Sequence, residues 1–72
     1  MDNLPEILLR WRVGEGYTST DFREIKISVE WCVEGWAWEV FRSSGTICDG
    51  VCNTMDEART AATDEARRYL FG

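Results

Sequence analysis

The sequence predicts an α+β domain: a four-stranded antiparallel sheet, in the order β-β-β-β-α, with one C-terminal helix packed on one face. Three observations carry this. Apolar side chains occupy every second place over 25–33 and again over 36–41. A two-residue loop, Glu34-Gly35, lies between those runs, as in a tight hairpin. Residues 55–70 then carry an alanine-rich stripe at helical spacing behind a capping motif. The 72 residues allow one small domain, 1–72, of the size that buries only about 60% of the surface its unfolded chain exposes.

Ile7, Leu9, Trp11 and Val13 alternate with Arg10 and Arg12, which predicts a first strand from about 7 to 13. Asp2 or Asn3 followed by Pro5 offers a short helix as the alternative start. Gly14 to Asp21 is polar and turn-like and reads as a long hairpin connection. The next strand carries Ile25, Ile27, Val29, Trp31 and Val33, and its partner carries Trp36, Trp38 and Val40. A Glu34-Gly35 turn pairs Val33 with Trp36, Trp31 with Trp38 and Val29 with Val40, all apolar and all on one face. Tryptophans on a sheet can form a stacking platform for nucleic acid, but this register turns Trp31, Trp36 and Trp38 toward the helix and into the core.

After Arg42-Ser43-Ser44-Gly45-Thr46, a three-residue loop with Gly45 in the left-handed conformation pairs Val40 with Cys48, Trp38 with Gly50 and Trp36 with Cys52. Gly50 leaves room for the Trp38 indole. A two-residue loop instead buries Asp49 opposite Val40, at a cost on the order of several kcal/mol for an unpaired charge. The last element is a helix over 55–70. Thr54 is its N-cap and Glu57 its N3 residue, acids fill its first turn, and Arg67 and Arg68 lie in its last. Asp64 and Arg68 stand at the spacing of a surface ion pair. Met55, Ala58, Ala62, Ala66, Tyr69 and Leu70 trace its inner face, and the small residues bring it close to a sheet whose own side chains are large.

Composition removes several classes of function. Eight basic and thirteen acidic residues give a formal charge of −5, there is one lysine, Lys26, and there is no histidine. Direct nucleic-acid binding needs clustered Lys and Arg, which this chain lacks. Without histidine there is no Ser-His-Asp or Cys-His catalytic pair and no His-containing zinc site, and no phosphate-cradling Gly-rich motif is present. The chain reads as a non-enzyme with no cofactor and no metal. No run approaches the roughly 18 apolar residues of a membrane span, and the first residues lack the pattern of a signal peptide. Cys32, Cys48 and Cys52 form an odd set without CxxC spacing, which fits inert buried thiols in a reducing, cytoplasmic setting. A metal reading needs a further ligand from a carboxylate or a second subunit.

The same register assigns the face away from the helix. Glu30 falls opposite Glu39 and Glu39 opposite Asp49, an acidic row across neighbouring strands bordered by Cys32, Ala37, Phe41, Ile47 and Val51. Three readings of this row stand side by side. It is a solvated face that keeps the protein soluble. It is a binding face for a basic protein surface, with charge steering the encounter and the apolar border contributing burial. Or it is a divalent-metal site, which rigid strands rarely form without loops. Trp11, between two arginines, offers a second contact point as a partly exposed indole.

The stretch Gly35-Trp36-Ala37-Trp38-Glu39-Val40, with Gly45, Gly50, Glu57-Ala58 and alanines at 61, 62 and 66, resembles a hairpin-plus-helix pattern of many small phage and prophage proteins. It covers about half the chain and encodes packing rather than chemistry. In size, acidity and lack of catalytic residues the chain is also similar in general character to anti-CRISPR proteins, small mobile-element inhibitors that bind CRISPR-Cas complexes, some as acidic DNA mimics. That resemblance implies a cytoplasmic inhibitor whose partner is a host protein or ribonucleoprotein complex with a basic surface. The expected contact residues are Glu30, Glu39, Asp49, Phe41 and Trp11. The alternative is a small structural or assembly protein that homodimerises through its sheet.

Overall fold

The computed structural model describes residue 7 and residues 9–72. It is α+β, with five strands where the sequence predicts four. These are β1 (Arg12–Gly14), β2 (Tyr17–Phe22), β3 (Ile25–Cys32), β4 (Gly35–Arg42) and β5 (Gly45–Cys52), followed by α1 (Met55–Phe71). The sheet order is β1-β2-β3-β4-β5, and each neighbouring pair is antiparallel.

The additional strand is β2, in the segment expected to be a long connection. Thr18 and Thr20 point to the helix side and are fully buried, so a hydrophobic side of this strand is written in threonines. Threonine is β-branched and suits a pleated strand. Each buried hydroxyl is satisfied: Thr18 Oγ1 donates to the Arg12 carbonyl at 2.9 Å and Thr20 Oγ1 to the Arg10 carbonyl at 2.7 Å. Those bonds hold the preceding chain against β2. The strand expected over 7–13 is accordingly reduced to Arg12–Gly14, while Ile7, Leu9 and Trp11 pack against the core outside any regular element. The alternative short helix beginning near Asp2 or Asn3 lies outside the described residues.

The β3–β4 register differs from the expected one by two residues. Trp31 faces Trp36, Val29 faces Trp38 and Ile27 faces Val40, so the turn is Val33-Glu34 and Gly35 opens β4. A shift of two keeps every side chain on its face and changes only its neighbour across the strand. Gly35 is required by packing as well as conformation. Its φ is 138°, and a Cβ there would lie 2.5 Å from the Cys52 carbonyl oxygen. One consequence corrects the expected core. Val29 is the last buried residue of β3, whereas Trp31 is 59% exposed and Val33, in the turn, is 97% exposed.

Between β4 and β5 the expected pairs of Val40 with Cys48, Trp38 with Gly50 and Trp36 with Cys52 all form. The expected three-residue loop does not form, and the extra residue sits within β5 instead. Arg42 faces Gly45 across a two-residue turn, Phe41 faces Thr46, and a register shift then leaves Ile47 unmatched. This bulge keeps Asp49 off the buried face and lets Ile47 pack against the core, so Ile47 does not border the acidic face as expected.

Ile25, Ile27, Val29, Trp38 and Val40 meet Ala58, Ala62 and Ala66 of α1 in the core. The helix packs on β3, β4 and β5 as its alanine stripe predicts. Thr54 accepts a hydrogen bond from the Glu57 N–H at 3.1 Å, and at the other end the Gly72 N–H donates to the Arg68 carbonyl at 2.8 Å. The surface pairs on α1 are Arg67 with Asp64 and Arg68 with Glu65, at three-residue spacing, rather than the expected Asp64 with Arg68.

Candidate protein-binding surface

Among the described residues, no helix covers one broad face of the sheet. Strand alternation places Glu30, Glu39 and Asp49 on that face, together with Tyr17, Ser19, Ser28, Lys26, Ala37, Phe41 and Val51. Glu39 lies directly opposite Asp49, as expected. Glu30 lies opposite Ala37, and Glu39 opposite Ser28, so the expected Glu30–Glu39 facing pair is absent and the two stand diagonally. The cause is the two-residue shift of the β3–β4 turn.

The carboxylates converge nonetheless. Glu30, Glu39 and Asp49 line one shallow concavity of about 370 Å³, whose other walls include Ser28, Ala37 and Val51. Like charges facing across a ladder destabilise a sheet by roughly 0.2–1 kcal/mol. The hydroxyl of Thr46, placed by the bulge, donates a short hydrogen bond to Glu39 Oε2. Among the described residues no basic side chain pairs with Glu30, Glu39 or Asp49.

A second concavity, of about 270 Å³, adjoins the first through Ser28 and is lined by Arg12, Lys26 and Phe41, with Tyr17 and Ser19. On the open face the acids Glu30, Glu39 and Asp49 thus line one concavity, and the bases Arg12 and Lys26 line the other. Phe41 borders Glu39 on the open face, as expected, and also lines the concavity that holds Arg12 and Lys26. Arg12 meets Asp21 at 3.1 Å, an exposed pair of the kind worth at most about 1 kcal/mol.

Trp11 stands apart from the other expected contact residues. The Arg59 guanidinium of α1 lies 4.9 Å from the centre of its ring, which puts the indole on the helix side of the molecule. The same Arg59 donates to Thr18 Oγ1 at 2.9 Å, so Trp11 and Arg59 close the core beside β2. The expected set is therefore split, with Glu30, Glu39, Asp49 and Phe41 on the open face and Trp11 behind it.

Sequence reasoning missed the exposed aromatic at the end of β3. Trp31 packs edge-on against Trp36, with ring centroids 5.6 Å apart and planes at 62°, beyond the part of the sheet that α1 buries. A signal was present. Five alternating apolar residues run from Ile25 to Val33, while the small-residue stripe that must cover them has only Ala58, Ala62 and Ala66 buried.

The three cysteines are unpaired and half-buried. Among the described residues no group of three or more His, Cys, Asp or Glu side chains is placed to hold a metal ion, and no helix is long and apolar enough to cross a membrane. The architecture is that of an α+β domain with a five-stranded antiparallel meander, covered by a helix on one side and open on the other. No family model, curated protein or solved structure matches the chain.

Proposed function

We propose that this chain is a non-enzymatic binding protein that engages a basic, nucleic-acid-binding surface of a host protein or ribonucleoprotein complex. One observation carries the reading. Glu30, Glu39 and Asp49 line a single concavity on rigid strands, and no basic side chain among the described residues neutralises them. Strands hold the backbone of these residues at fixed spacing, so the three carboxylates are presented together to arriving Arg or Lys donors. An acidic, preformed surface of this kind competes with nucleic acid for a cationic groove. In a bacterial cytoplasm that is the action of an anti-CRISPR-like inhibitor from a phage or other mobile element, which the chain resembles in size and charge.

The test is a tagged pull-down from bacterial lysate at low and high salt, run beside a Glu30→Gln, Glu39→Gln, Asp49→Asn triple variant. The expected result is recovery of a nucleic-acid-binding complex that is lost in the variant and weakened by salt. Equal recovery by both proteins overturns the assignment of the site.

A second reading, assembly through the sheet, is favoured by the outer edge of β5. That edge spans eight residues with no neighbouring strand in an order that ends at β5. Sedimentation at micromolar concentration decides it: a salt-insensitive dimer supports assembly, and a monomer supports a foreign partner.

A further inference from the structure

The meander brings the β1–β2 turn, Glu15-Gly16, and the β3–β4 turn, Val33-Glu34, to the same end of the sheet. The Trp31 N–H donates to the Gly16 carbonyl at 2.9 Å and ties that end together. Large apolar side chains are exposed on both sides of that end: Trp31 on the helix side and Val33 in the turn, with Tyr17 at 42% and Val51 at 53% exposure on the open face. Exposed aromatic and aliphatic side chains grouped on a small domain mark a contact surface.

Charge identifies the occupant. Glu15 and Glu34 stand in the two turns and Glu30 on the open face beside them, and none has a basic partner among the described residues. At the other end of the strands the pattern reverses. Asp21 pairs with Arg12, Asp64 with Arg67 and Glu65 with Arg68, while Arg23 lies over Phe22 and Phe71 and Arg42 bonds to Tyr69. The turn end thus joins acids that have no basic partner among the described residues with exposed apolar groups, whereas arginines are held in pairs and ring contacts toward the other end. A second copy brought against that end would set Glu15, Glu30 and Glu34 against their own equivalents, which disfavours self-association there.

We infer that the turn end is a docking surface in which Trp31 and Val33 enter an apolar recess on a partner protein, and Glu15, Glu30 and Glu34 meet Arg or Lys around its rim. This rests on the proposed recognition of a basic surface and adds the apolar anchor and the direction of approach. Trp at the centre of a contact surrounded by charged groups is the usual arrangement of an interface hot spot.

The probe is a fluorescein-labelled amphipathic peptide of Arg, Leu and Ala, followed by anisotropy, beside a peptide of equal charge in which Ser replaces Leu. Wild type is expected to bind the leucine peptide more tightly by about tenfold or more, and Trp31→Ala with Val33→Ser to abolish that preference. Both positions are exposed, and thermal melts verify that the fold is kept.

Equal loss on both peptides in the triple acidic variant, with no effect of Trp31→Ala and Val33→Ser, overturns the anchor and leaves the acidic reading standing. Failure of wild type to bind either peptide overturns both. A dimer in sedimentation that dissociates on Trp31→Ala assigns the surface to a second copy and overturns the proposed occupant.

Discussion

Gly50 has no room for a methyl group. A Cβ there would sit 2.7–2.8 Å from three atoms of the Trp38 indole, which is itself buried in the core. Gly45, with φ of 136°, would meet nothing within 4 Å, so its requirement is conformational alone. The two glycines separate overpacking from backbone strain. Gly50→Ala is expected to lower unfolding stability by about 1–3 kcal/mol in urea titration. Gly45→Ala is expected to lower it by about 1–2 kcal/mol without disturbing the near-ultraviolet signal of Trp38. Thr20 makes a different point at the same scale. Its hydroxyl is buried and donates to the Arg10 carbonyl, so Thr20→Val keeps the shape but removes the donor. A loss of about 1 kcal/mol is expected, with faster amide exchange in residues 9–11 as the second readout.

At the scale of the element, α1 is the part most completely written in the sequence. Its cap, alanine stripe and terminal charges each point to the same helix, and the helix forms over Met55–Phe71. Thr54→Ala is expected to destabilise the protein by about 1 kcal/mol in a circular-dichroism melt, because the Glu57 N–H loses its acceptor. The strands were legible to different depths. Alternation in β3 and β4 fixes which face each side chain takes, and those faces are as read. It leaves the opposing rung open, because Val33-Glu34 and Glu34-Gly35 give registers of the same parity. Glycine at 35 looked like a turn residue, while its place is against the Cys52 carbonyl. β2 was illegible for another reason. Thr18 and Thr20 fill core positions with polar atoms whose partners, the Arg10 and Arg12 carbonyls, are brought there only by the folded chain. The candidate site inherited both effects. Glu39 and Asp49 face each other as read from β4 and β5, Glu30 moved diagonally with the β3–β4 register, and Trp31 came out of the core.

For the whole molecule the governing quantity is the distribution of charge rather than its sum. Within a formal charge of −5, Glu30, Glu39 and Asp49 gather in one concavity with no basic partner among the described residues. Association with a cationic partner is expected to slow steeply as salt rises from low to physiological strength, where the screening length is about 8 Å. Stopped-flow mixing with the Arg, Leu and Ala peptide measures this directly. The Glu30→Gln, Glu39→Gln, Asp49→Asn variant is expected to show a flatter salt dependence, chiefly through the association rate.

The meander also sets how the chain reaches this state. Every strand pairs with the one before it, across turns of two residues, and only the helix must travel back over strands made earlier. Short loops close at little entropic cost, so each hairpin can form before the next is synthesised or collapsed. Of the described elements α1 follows all five strands in sequence, and it supplies the alanine face that seals Ile25, Ile27 and Val29 away from water.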